Sequence, residues 1–119
     1  MKNLTPNLYI GLGSAVYALI KSDGQLHDPS SINARMALIE VPNGEMAMQS
    51  FQIREHYQTP AEEAYSFALR CFSTHRKELN ANVKKFFVKL LKKIAKADNH
   101  ISNKEVAFIN RFQRDLQRI

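Results

Sequence analysis

The residues whose types and spacing could support chemistry are few, and each grouping also has a plainer structural use. Asp23 and Asp98 sit in two related segments, Lys21-Ser22-Asp23-Gly24-Gln25-Leu26 and Lys96-Ala97-Asp98-Asn99-His100-Ile101, which superpose when the chain is slid against itself by 75 positions. Carboxylates converging from two such turns, with Glu105 and with His27 or His100, are the kind of oxygen-rich set that a hard divalent cation takes. A complete calcium loop needs about five or six protein oxygens at fixed spacing, and neither turn contains a D-x-D-x-D-G run. An aspartate at a helix end more commonly accepts hydrogen bonds from the backbone N–H groups of the following turn, and that reading is adopted.

Cys71 and His75 stand four residues apart, a spacing that on one helix face would place a base or a second metal ligand beside a thiol. No third partner accompanies them, and Cys71 falls on an apolar stripe, so it reads as a small core residue. Gly11-Leu12-Gly13 lacks the preceding strand and the third glycine of a phosphate loop. Close approach of a second helix accounts for both glycines. No serine stands in a nucleophile elbow. These residues give no reason to expect an enzyme, and no cofactor is implied beyond a divalent cation at the two turns.

The most suggestive surface lies between Asn80 and Asp98. At about 100° per residue, Val83, Phe87, Leu90 and Ile94 share one side, while Lys85, Lys89, Lys92 and Lys96 form a stripe opposite, widened by Lys84 and Lys93. The chain as a whole carries a formal net charge of +6, which suits an acidic partner. The lysines are not interleaved with aromatic residues that could stack on bases, so an ordinary solvated face is favoured over nucleic acid, and the stripe is a candidate docking surface for an acidic partner. An anionic membrane surface is the further alternative.

These groupings must be held by helices. Apolar residues recur at helical spacing throughout, and no stretch alternates cleanly enough for a strand. The first helix begins after Thr5 or Pro6 and runs to about Asp23, where Gly24 stops it in the left-handed conformation that only glycine adopts cheaply. The second starts at Asp28-Pro29 and runs to about Val41, followed by a Pro42-Asn43-Gly44 turn. Glu45 to Tyr57, with Met46, Met48, Phe51, Ile53 and Tyr57, is ambiguous between helix and extended chain. Thr59-Pro60-Ala61-Glu62 predicts a capping box opening a fourth helix whose core face is Ala64, Phe67, Ala68, Cys71 and Phe72. A fifth helix spans Asn80 to Asp98, and Ser102-Asn103-Lys104-Glu105 caps a sixth with Val106, Ile109, Phe112 and Leu116 inward. The expected architecture is all-α, a compact bundle of about six helices containing two repeated helix-turn-helix units, with residues 1–119 as one domain.

Leu8 to Ile20 is free of charge but too short to span a bilayer at about 20 residues. Thr5-Pro6-Asn7 before it, and Lys21-Ser22-Asp23-Gly24 where a small-residue cleavage site should stand, argue against a secretory signal. A buried core helix and a protein that is not transmembrane are therefore expected. The single cysteine excludes an internal disulfide, and the cytoplasm is the expected compartment.

The repeated segments resemble the TerB-like family of tellurite-resistance proteins, to which the N-terminal domain of DjlA-type cochaperones also belongs. The resemblance is carried by Lys96-Ala97-Asp98-Asn99-His100-Ile101-Ser102 with Glu105, and more loosely by Ser22-Asp23-Gly24-Gln25-Leu26. It implies an all-helical fold over nearly the whole chain and a non-enzymatic bacterial role in stress, metal or envelope responses. It also implies metal binding at the acidic positions of the motif. The chain departs from the pattern where Asn99 replaces glycine and where Pro29-Ser30-Ser31 replaces the glutamate of the first unit. The expected function is that of a TerB-like interaction or scaffold module whose partner is another protein. The alternatives are metal binding through Asp23, Asp98 and Glu105, or a basic surface for nucleic acid or anionic membrane.

Overall fold

The uncharged run of the sequence becomes the centre of the molecule. In the computed structural model, which describes residues 4–24, 28–97 and 101–119, six helices follow one another. They are α1 (Pro6–Ser22), α2 (Asp28–Glu40), α3 (Glu45–His56), α4 (Ala61–Thr74), α5 (Ala81–Ala95) and α6 (Asn103–Gln117). No strand occurs among the described residues. Between Leu8 and Ile20 every residue of α1 except Ile10 is buried. A helix that is apolar all round must be covered all round, and α1 is covered by contacts with each of the other five helices. None of the helices is long and apolar enough to cross a membrane among the described residues.

Two glycines let the neighbours come that close. A Cβ added at Gly13 would lie 2.0 Å from the Ala47 carbonyl oxygen of α3, and one at Gly11 would lie 2.9 Å from both Cys71 Cβ and a Phe72 ring carbon of α4. The polar groups that α1 carries into this interior are matched. Ser14 donates to the Ala64 carbonyl at 2.7 Å and Tyr17 to the Thr59 carbonyl at 2.7 Å, while Ser50 of α3 donates to the Ile10 carbonyl. Around them Phe51, Phe72, Phe87 and Phe112 are fully buried. Tyr17 meets Phe51 edge to face at 5.9 Å, a favoured aromatic arrangement.

Helix ends follow local chemistry. Pro6 occupies the first turn of α1, and the helix ends before Gly24 at φ +125°, a conformation open chiefly to glycine. Asn80 caps α5 through its side chain, and Ser102 with Glu105 forms the expected reciprocal box on α6. Asn43 in the α2–α3 turn takes a left-handed φ of 63°, which asparagine tolerates better than most residues. How α2 is capped lies outside the described residues.

Three expectations need correction. The Thr59 capping box does not form: α4 begins at Ala61 with Pro60 at the cap position and no side-chain cap bond. Thr59 is instead drawn into the core, where its carbonyl receives Tyr17, and Glu62 reaches across to Arg111 of α6. On α6, Val106 points outward at 40% exposure and Phe108 takes the inner place, because Phe108 can lie edge-on to Tyr65 of α4 at 5.2 Å. On α4, Phe67 and Cys71 are only half-buried, and the core face runs through Tyr65 instead. The ambiguous third element is a helix throughout.

Candidate functional site

The fifth helix is the strongest amphipath of the chain. Val83, Phe87, Leu90, Leu91 and Ile94 are buried on its inner side, and Lys85, Lys89, Lys92, Lys93 and Lys96 are exposed. Lys96 stands just past the last turn, at the C-cap, where a cation complements the partial negative charge of the helix end. The other lysines do more than coat a convex face. Lys84, Lys85, Lys89 and Lys92 line the α5 side of a groove of about 450 Å³ between α5 and α6, with Gln113 and Gln117 on the α6 side and Ala81, Val88 and Leu116 as its apolar lining. Among the described residues no carboxylate lines it.

The described acidic side chains of α2 and α6 are committed elsewhere. Glu40 of α2 pairs with Lys93 at 3.6 Å. Asp115 of α6 accepts a hydrogen bond from Tyr65 at 2.5 Å, and Arg111 bridges Asp115 and Glu62. Glu105 accepts the Ser102 backbone N–H at 3.1 Å within its capping box. Among the described residues no ion pair reaches Lys85, Lys89, Lys92 or Lys96. Among the described residues, then, Lys85, Lys89 and Lys92 border the groove without a paired carboxylate, beside apolar lining residues.

The carboxylate set presents a different picture. Asp23 is exposed at the C-cap of α1, where its backbone N–H donates to the Ile20 carbonyl and that of Gly24 to the Lys21 carbonyl. Asp98, His27 and His100 lie outside the described residues, as do the backbone groups that Asp23 was expected to bond. Among the described residues no three His, Cys, Asp or Glu side chains gather closely enough to hold a metal. Glu105 faces a small cavity of about 20 Å³ that Ile20 and Ser30 share with Ala95. Ile20 and Ala95, and likewise Ser30 and Glu105, are the positions that the 75-residue offset equates.

Cys71 and His75 do not form a reactive pair. Helix α4 ends at Thr74, so His75 leaves the helical path and lies with its Nε2 3.1 Å from the Asn7 amide. Burial pushes the Cys71 thiol above its ordinary value, the opposite of what activates a cysteine nucleophile. Gly11 and Gly13 are covered by α4 and α3, leaving no room for a phosphate at their backbone.

Two features of this surface were not apparent from one helix at a time. The groove exists only because Gln113, Leu116 and Gln117 of α6 stand opposite the lysines, and a helical wheel of α5 cannot show a wall supplied from another element. A second apolar exposure, Ile32, Met36 and Ile39 on the outer face of α2, follows i, i+4, i+7 spacing, but the inward face of that helix is built from the small residues Ser31, Ala34 and Ala37 with Leu38. Compared with known proteins, the chain matches no protein-family model, no curated protein and no solved structure.

Proposed function

We propose that this chain is a non-enzymatic helical interaction module of TerB-like type that docks another protein on the lysine-lined groove between α5 and α6. The observation that carries the reading is the run Lys85, Lys89 and Lys92 beside apolar lining residues, with the carboxylates of Glu40, Glu105 and Asp115 bonded elsewhere. Like charges at i, i+4 cost a helix stability, so such a run is tolerated where binding an acidic partner offsets the cost. The shared cavity at Ile20, Ala95, Ser30 and Glu105 supports the two-unit kinship on which the TerB-like reading rests. In that reading the protein is a cytoplasmic scaffold in a bacterial stress or tellurite response.

Photocrosslinking tests it. A photoreactive amino acid at position 89, in protein produced in its native host, is expected to give discrete protein adducts that the same residue at Gln52, exposed on α3, does not. Adducts only to nucleic acid or lipid, or none that differ from position 52, overturn the reading.

A further inference from the structure

The geometry points to an acidic amphipathic α-helix of a partner protein as the occupant of the α5/α6 groove, its apolar stripe on Ala81, Val88 and Leu116 and its carboxylates on Lys85, Lys89 and Lys92. This inference rests on the interaction-module reading and names the chemistry of its partner.

Length and spacing come first. The groove follows α5 from Ala81 to Lys92, which at 1.5 Å per residue is about 16 Å, or three turns. Lys85, Lys89 and Lys92 advance by four and three residues along one face. Glutamates or aspartates at the same i, i+4, i+7 spacing on a helix laid alongside meet them in register, while its next stripe round carries leucine-like side chains to the apolar lining. This is helix-in-groove recognition with a charged wall added. Gln113 and Gln117 opposite can donate or accept without fixing the sign of charge, so the electrostatic preference is set by the α5 side alone.

The other anionic partners fit less well. Single-stranded nucleic acid is held by aromatic side chains on which bases stack, and among the described residues no aromatic one lines this groove. Duplex DNA is read by an element that projects into one of its own grooves, whereas the lysines here border a concavity. A membrane surface is engaged by a convex face with projecting aliphatic or aromatic side chains, whereas the apolar residues here line a concavity together with Gln113 and Gln117.

The test uses fluorescence anisotropy with the full chain and a labelled peptide of roughly 15 residues, about four turns, built from Glu, Leu and Ala with glutamates at i, i+4, i+7 beside a leucine stripe. Controls are the same composition in scrambled order, a DNA duplex, an oligothymidylate strand, and vesicles of phosphatidylcholine with phosphatidylserine. Saturable binding is expected for the patterned peptide, weakened by added salt and about tenfold or more by Lys85→Gln, Lys89→Gln and Lys92→Gln combined, since rim charges act weakly one at a time. Lys77→Gln with Lys104→Gln, exposed cations away from the groove, is expected to leave binding unchanged. Equal binding of the scrambled peptide, indifference to the triple substitution, or tighter lysine-dependent binding of DNA or vesicles overturns the inference. If the peptide fails while position 89 still crosslinks to protein, only the occupant is wrong. Loss of both results removes the docking reading as well.

Discussion

Gly13 of α1 and Ala47 of α3 meet so closely that a Cβ on the glycine would stand 2.0 Å from the alanine carbonyl oxygen. That obstacle is backbone, which cannot swing aside like the tip of a side chain, so the α1–α3 spacing is fixed by the missing methyl. Tyr17 lies one turn further along the same helix, against Phe51 of α3 and the Thr59 carbonyl, and depends on that spacing for both contacts.

Gly13→Ala is therefore expected to destabilise the fold by about 1 to 3 kcal/mol or more, the usual range for overpacking. Gly24→Ala meets nothing within 4 Å and suffers only the strain of a positive φ, about 1 kcal/mol. Urea titrations of both variants check the order; a Gly13→Ala protein as stable as the parent would show that α1 and α3 do not approach this closely.

Leu91→Ala removes a fully buried side chain and is expected to cost about 2 to 5 kcal/mol. Ile94→Ala should fall in the same range. Val106→Ala, on an exposed residue, should change stability by less than about 0.5 kcal/mol. Thermal and chemical denaturation should separate the first two variants from the third.

Acid is expected to loosen the tie between α4 and α6. The Arg111 hydrogen bonds hold the Glu62 carboxyl below its ordinary value, and Thr5 does the same for Glu78. A carboxylate whose folded pKa is depressed stabilises the fold above its unfolded pKa, and that contribution is lost as pH falls through the folded value. Glu62→Gln and Glu78→Gln should each lower stability at neutral pH and flatten its decline in acid, read from urea midpoints across the carboxylate range. Both groups are exposed to solvent screening, so the effects are expected to be modest.

Removing a lysine from the stripe should help the free protein. Lys89 has like-charged neighbours at Lys85 and Lys92, and relieving each helix pair is worth about 0.2 to 0.5 kcal/mol. Lys89→Gln is expected to raise the melting temperature slightly at low salt, with the gain shrinking as salt is added. A lowered melting temperature would mean that Lys89 is held by its own fold.

Titration calorimetry with calcium, magnesium and zinc bears on the alternative use of Asp23, Asp98 and Glu105. Under the docking reading no saturable heat is expected. Heat abolished by Asp23→Asn or Asp98→Asn would establish a cation site at the two turns.

What the sequence displayed depended on whether the physical signal was local. The uncharged run Leu8 to Ile20 announced a helix wanting cover on every side, and Ser102 with Glu105 announced a helix start, because both signals lie within a few residues. The third helix was ambiguous because its buried positions are Ala47, Ser50 and Phe51, two of them too small to register in an apolar pattern. Thr59 misled because its cap competes with a tertiary demand: the Tyr17 hydroxyl, 42 residues away in sequence, takes its carbonyl. Val106 and Phe108 exchanged roles because Tyr65 of α4 offers a ring to pack against. For the candidate site, the lysine spacing was readable on α5 alone, whereas its concavity required α6.

The burial of α1 on every side sets a schedule for the newborn chain. Ribosomes add about 5 to 20 residues per second, so α1 is complete seconds before α4, α5 and α6 exist to enclose it. Through that interval its greasiest segment is a client for holdase chaperones or an aggregation hazard, and slowed translation lengthens the exposure.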